Sequence, residues 1–366
     1  MKSAVSAILI AAAQAYYYDK YENLVNLQQE MNALDQIEIE VDGTKKIYYI
    51  AAPFTQGGGA AGDLAVPANG RGYIAETPTL DLKDPKYFKP NLLGGSVEWD
   101  IDLSNHECGC IAAWYLVKMP GKDDDGNLWM DTDGYGYCDA NQVDGNWCPE
   151  FDIMEANKWS WATTPHKCDS PSDKGHYYYC DQGGTCAQNI YDQLGWNGYG
   201  PGDSYTINTD QPFHAKVQFD SSNNQFSSFT TTFTQNGKTQ SMTADCSYLN
   251  YMSDDVAENM GFVVSNWGGD ASWLWHDRCS GSCNWPSLTL SNIKVTTGGV
   301  TPTPPGPGPS PINPADYDFG DSCGTAHDDF CDEMHCPSVD HCRWSWPKDD
   351  PAKWSSKDAG CRCDEI

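Results

Sequence analysis

Between Ser96 and Val295 the chain consists of short runs rich in β-branched and aromatic residues, and this pattern limits the fold more than any other feature. SVEWDIDL, CIAAWYLVKM, PEFDIMEA, FHAKVQF, FSSFTTTFTQ, MGFVVSNW and LTLSNIKV follow one another, separated by stretches holding Gly, Asn and Asp. Runs of this length predict strands, and no strong helical periodicity interrupts them. The expected fold class is all-β, a sandwich whose two sheets bury alternate residues between them, with long polar loops left for specificity. Upstream, QIEIEV and KKIYYIAA flank Asp42 and Gly43, a pair that favours a hairpin turn. The stretch from Tyr16 to about Ala33 predicts a short helix of weak period, and Gly57 to Gly72, rich in Gly and Ala, predicts a loop.

The two ends read differently from this middle. Residues 1–15, MKSAVSAILIAAAQA, combine an early lysine, an apolar run from Ala4 to Ala13 and small residues at Ala13 and Ala15, the pattern of a cleaved signal peptide. The run is too short to anchor in a bilayer, so the expectation is a secreted, extracellular protein that acts as a monomer. The sixteen cysteines agree with export: ten lie from Cys108 to Cys283 and six from Cys323 onward, an even number on each side of a proline-rich gap. Their spacings match no zinc-finger pattern. The sequence thus divides into a signal peptide (1–15), a β-sandwich (16–297), a Pro/Gly/Thr linker (298–314) and a Cys-rich module (315–366). The last is too small for an unaided core, and its Trp344, Trp346 and Trp354 suit it to holding a polysaccharide.

A net charge of −29 argues against nucleic acid and anionic membranes, which would be repelled. A neutral partner remains, and 14 tryptophans and 20 tyrosines supply flat faces for sugar rings. DDDG from Asp123 and DTDG from Asp131 have the composition of calcium loops, but the glycine and terminal glutamate that such a loop requires are misplaced. No metal and no cofactor are expected.

One hexapeptide carries chemistry. In CPEFDIMEAN the acids Glu150, Asp152 and Glu155 fall close together. On a helix the later two would point about 200° and 140° away from Glu150. On a regular strand Glu150 and Asp152 share a face and Glu155 takes the other, unless a β-bulge at Ile153 or Met154 adds one residue. Two glutamates on one cleft, with carboxyls about 5 to 5.5 Å apart, are what double-displacement glycoside hydrolysis requires. Periodicity does not say which glutamate attacks and which transfers the proton.

EFDIMEAN, with TPHKCD and GYGPG after it, LLGGSVEWDIDLS, AAWYLVKM and GYCDAN before it, and SNWGGDASWLWHD and LTLSNIKV at the end, resembles glycoside hydrolase family seven, the secreted cellulases. The resemblance runs from about Asn91 to Val295. It implies a curved β-sandwich of the jelly-roll, concanavalin-like kind with a glucan-binding cleft, and cellulose or a related β-glucan as partner. It further implies Glu150 as nucleophile, Asp152 as the acid that tunes it and Glu155 as acid/base, with His166 beside the acid/base end. Tyr115, Tyr137 and Asp139 become sugar contacts, Tyr115 rather than Trp114 facing the cleft, and Trp267 and Trp275 become ring platforms, with Trp273 left to packing. Asn141 stands where the family usually has glutamine, one methylene longer. Only QVDGNW separates GYCDAN from CPEFD, where the family carries a long insertion, and CAQNIYDQLGWNGYGPG has no arginine; both departures point to an open cleft and internal cutting. Rival readings are a cellobiohydrolase, a β-1,3 or mixed-linkage glucanase that shares E-x-D-x-x-E, and a non-catalytic glucan-binding protein.

Overall fold

The strands predicted from the sequence form in order, and the long central ones pair into one sheet that bends back over itself. A computed structural model describes residues 35–52, 62–269, 271–275, 278–302, 342–345 and 360–363. The expected signal peptide, the helix predicted from Tyr16 and most of the expected linker lie outside the described residues. The chain separates into two units, residues 1–305 and 306–366.

In the first unit the strands are β1 (Asp35–Val41), β2 (Thr44–Ala51), β3 (Leu64–Val66), β4 (Gly70–Ala75), β5 (Ser96–Ile101), β6 (Cys110–Val117), β7 (Glu150–Ala156), β8 (Trp161–His166) and β9 (Gln188–Asn189). After a short helix α1 (Ile190–Leu194) come β10 (Tyr199–Gly200), β11 (Ile207–Asn208), β12 (Phe213–Ser222), β13 (Gln225–Gln235), β14 (Lys238–Ala244), β15 (Gly261–Gly268), a single turn α2 (Ser272–Trp275) and β16 (Leu288–Thr296). The sheet runs β14-β13-β12-β5-β16-β1-β2-β4-β15-β6-β7-β8-β9, with β3 also on β16. The Asp42-Gly43 hairpin forms as predicted, both residues adopting left-handed φ of 51° and 74°.

Aromatic side chains from the two halves of this path meet in the core. Trp161 of β8 stacks on Trp99 of β5 at 6.0 Å and meets Phe233 of β13 at 4.9 Å. Phe151 of β7 lies 5.1 Å from both Phe219 and Phe229. Burial of each such ring stabilises the fold by about 1.5–3 kcal/mol, which fixes the strands that carry the acids. On the opposite side of β4, β15 and β6, a second cluster of Tyr73, Tyr115, Tyr137 and Val263 builds the wall of the concave face. Trp114 packs into the main core, stacked 4.7 Å from Phe262, so its neighbour Tyr115 takes the concave side.

One reading of the sequence needs correction. The loop expected from Gly57 to Gly72 contains β3 and the start of β4. Its glycines serve close packing there: a Cβ on Gly72 would stand 2.9 Å from Ile50 Cγ2 of the neighbouring strand. At the start of the expected linker, Gly298 N–H donates to Asn91 O at 2.9 Å and Asn91 Nδ2 donates to Val300 O at 2.9 Å.

All ten cysteines from Cys108 to Cys283 pair, as 108–279, 110–283, 138–148, 168–180 and 186–246. Among the described residues no helix is long and apolar enough to cross a membrane. Among the described residues of the second unit, β17 (Cys342–Ser345) pairs antiparallel with β18 (Gly360–Cys363).

Candidate active site

The expected bulge is present in β7. Against β6, Trp114 pairs with Met154 and Tyr115 with Asp152, leaving Ile153 as the extra residue. Against β8, Asp152 faces Thr164 and Glu155 faces Ala162, so Ile153 and Met154 together oppose Thr163. Phe151, Ile153 and Met154 all enter the core. The alternation resets, and Glu150, Asp152 and Glu155 line one trough.

That trough is two hollows, of 480 and 570 Å³, that join over the three acids and share Asn141 and Trp267. Tyr115, Tyr137, Asp139 and Arg71 line one side; His166, Gln182, Asp192 and Trp273 line the other.

A hydrogen-bonded chain sets the first side. Tyr115 Oη donates to Tyr137 Oη at 3.1 Å, and Tyr137 Oη donates to Asp139 Oδ2 at 2.6 Å. Asp139 Oδ1 accepts from Asn141 N at 2.8 Å, and the next N–H back, of Ala140, donates to Glu150 Oε2 at 3.0 Å. The loop that supplies both donors is closed by the Cys138–Cys148 disulfide. Burial keeps Tyr115 neutral, pushing its pKa up to about 12. Asn141 is exposed, and no side-chain bond from it is present among the described residues.

On the second side His166 Nδ1 lies 2.7 Å from the Asp181 carbonyl and Nε2 lies 3.0 Å from Asp152 Oδ2. A carbonyl only accepts, so Nδ1 carries hydrogen, and the Nε2 contact then needs a further proton shared with Asp152. The electrostatics agree. Burial disfavours the imidazolium, but the bond and charge of Asp152 outweigh it and raise the His166 pKa. Asp152 is itself raised by burial, with His166 opposing.

The glutamates differ in their support. Burial and then the charges of Asp152 and Asp139 push Glu150 well above the usual carboxylate range, while the Ala140 N–H favours its anion. Burial and then Asp152 push Glu155 upward, and no donor among the described residues holds it. Glu150, Asp152 and His166 also offer ligand atoms within 4.8 Å of one another, near enough for a cation to fit.

The expected platforms are only half present. Trp267 is half-buried over the acids and lines both hollows. Trp275 is 6% exposed, packs in the cluster that walls the concave face and lines neither hollow, whereas Trp273, expected only to pack, is 47% exposed and lines the second hollow. Ser272–Trp275 is one helical turn, which points residues two apart to opposite sides. Arg71 was hidden inside the stretch read as a loop; from β4 its guanidinium lies 3.9 Å over the Tyr137 ring. The run YIA after Gly72 was the signal that the segment is a strand.

A folded-over β-sandwich with buried carboxylates and aromatic side chains in one trough defines a class of carbohydrate-site protein. Comparisons with known proteins narrow it. Residues 140–267 match the family model described as Glycosyl hydrolase family 7. Endoglucanase EG-1 of Hypocrea jecorina is 28% identical over 285 residues, 67% of this chain and 60% of that protein. Endoglucanase EG-1 of Humicola insolens is 30% identical over 169 residues, 38% of this chain and 37% of that protein. The solved native endocellulase EGI of Humicola insolens shares the fold at TM-score 0.57 and 18% identity, covering 74% of this chain and 98% of that one. A family 7 cellobiohydrolase of Daphnia pulex does so at TM-score 0.55 and 18% identity, covering 75% and 99%. Residues 140–267, the segment that bears its acids, are similar to glycosyl hydrolase family 7. It spans 60% of the length of the Hypocrea relative.

Proposed function

We propose that this protein is a secreted cellulase that hydrolyses β-1,4-glucosidic bonds with retention and cuts inside chains in an open cleft. The bulge at Ile153 carries this reading, because it puts Glu150, Asp152 and Glu155 together at the meeting point of two hollows. In the proposed reaction Glu150 attacks the anomeric carbon while Glu155 protonates the departing glycosidic oxygen. Water then enters where the leaving group departed, Glu155 removes its proton, and the new oxygen attacks the anomeric carbon opposite the Glu150 bond, which breaks to free the carboxylate and leaves the configuration retained. Burial raises both glutamates, but only Glu150, which must be charged, has an N–H donor that favours its anion. Asp152, locked by His166, holds the polar environment of Glu150 as its charge comes and goes.

Support for internal cutting comes from the loop after Asn141. It is a tight turn with Gln142 and Asp144 at left-handed φ, tied down within ten residues by Cys138–Cys148, and too short to roof the trough. The relatives named endoglucanase point the same way, and an endoglucanase I of this fold was solved in complex with cellobiose. Export is supported by the leader sequence and the five disulfides.

The test is hydrolysis of carboxymethyl cellulose, crystalline cellulose and laminarin by wild type, Glu150→Gln and Glu155→Gln. Rapid viscosity loss on carboxymethyl cellulose is expected, with activity falling about 10²–10⁴-fold or more in each variant. Mainly cellobiose with little viscosity change would overturn internal cutting, preference for laminarin would overturn the linkage, and an inverted first product would overturn the mechanism. For the Cys-rich unit, the full chain is expected to stay on crystalline cellulose better than a chain ending at Pro305.

A further inference from the structure

A second cavity, of 480 Å³, shares no lining residue with the trough. Lys83, Lys86 and Lys89 reach it from the segment between β4 and β5, and Lys118 and Lys122 from beyond β6. Five of the chain's 22 basic residues thus meet in one place on a protein of net charge −29, and Asp84 is the one acid in the lining.

Part of this charge is already compensated. Lys118 Nζ is 2.7 Å from Asp255, and Lys86 is 2.7 Å from Asp84 in a pair whose side chains are 55% and 70% exposed and so contribute little. The acids that follow Lys122 are engaged elsewhere: Asp124 lies 3.5 Å from His176, Asp125 lies 3.1 Å from Lys174, and Asp123 accepts from the N–H groups of its own turn. Lys83 and Lys89 have no carboxylate at ion-pair distance among the described residues. Lys89 is partly buried, and burial together with the Lys118 charge brings its pKa down to about 8. Such a cation lacks only an anion. The remaining wall sets Met119, Pro120 and Leu128 beside Tyr177 and Asn259, a mixed surface that a bare inorganic ion would not use.

We propose that this cavity is a separate binding site for an acidic saccharide, one or two sugar rings bearing carboxylates, with the carboxylates on Lys83 and Lys89 and a ring face on the remaining wall. Elsewhere the strongly negative surface repels such a ligand, so attraction is short-ranged and strengthens close to the lysines.

The experiment is calorimetric titration of the full-length protein with digalacturonic acid, with sodium sulfate and with cellobiose. Digalacturonic acid is expected to bind, to lose about tenfold in affinity on going from low salt to about 0.3 M, and to bind about fivefold more weakly to Lys83→Gln and to Lys89→Gln. Cellobiose binding should be the same in both variants. Lys83 is exposed, so its variant keeps the test sound if Lys89→Gln fails to fold. The proposal is overturned if digalacturonic acid does not bind, if both variants bind it like wild type, or if sulfate binds as tightly, the result of an adventitious ion only. The reading of the trough stands in any of these cases, because no lining residue is shared.

Discussion

Glu155 and Glu150 are five positions apart on one strand, yet only Glu150 has a backbone donor, and that difference makes the charge state of each testable. A carboxyl whose pKa rises on folding stabilises the protein below its unfolded value, 4.5 here, and this contribution is lost as pH rises through the folded value. Glu155→Gln removes the cost of the buried charge. It is therefore expected to raise Tm at pH about 8 and leave it nearly unchanged at pH about 4, each tenfold change in proton affinity being about 1.4 kcal/mol. Thermal melts across that range decide it, and the same offset at both ends would contradict a proton held on Glu155. His166 works in the same direction, because its raised pKa contributes stability that is full below 6.5 and lost as pH rises through the folded value. Gly184 limits the histidine by contact: it has a left-handed φ of 63°, and a Cβ there would meet Thr164 Cγ2 and stand 3.2 Å from His166 Cε1. Gly184→Ala is expected to lower kcat about 10²-fold through displacement of His166 and Asp152. Steady-state kinetics beside a far-ultraviolet spectrum would separate this from unfolding.

Among the elements, β7 was the most legible in sequence and the turn at Ser272–Trp275 the least. Three acids with no common face on a regular strand demanded an extra residue, and Ile153 supplies it because Phe151, Ile153 and Met154 all gain by entering the core. The seven long strands and the Asp42-Gly43 hairpin were legible for a similar reason, since period and turn chemistry are local properties. Arg71 was not, because its position over Tyr137 depends on β4 pairing with β15, almost two hundred residues later, where Arg71 faces Ser265. Trp275 was expected as a platform from the resemblance alone, and it is Trp273 that lines the second hollow, a difference of two positions on one turn that local pattern does not resolve. The difference makes a prediction: Trp273→Ala should raise KM on cello-oligosaccharides with Tm nearly unchanged, while Trp275→Ala should destabilise by about 3–5 kcal/mol. Equal effects on Tm would restore the reading from sequence.

Across the whole molecule, two disulfides determine how the site is held. Cys108–Cys279 and Cys110–Cys283 close loops of 171 and 173 residues, and every acid, the histidine and both half-exposed tryptophans of the trough lie inside. In the chain-entropy view the first closure contributes about 5 kcal/mol and the second, nearly coincident, little more. Reduction is therefore expected to lower Tm steeply only after both are opened, which single and double Cys→Ser variants at Cys279 and Cys283 would check. The double closure also makes the acid-bearing part of the chain a covalent ring. A protease that cuts at an exposed point such as Trp196 opens a ring that is fastened at its neck, and no fragment leaves. The clipped protein would run as one band without reductant and as two with it, and it would keep its trough assembled after the cut.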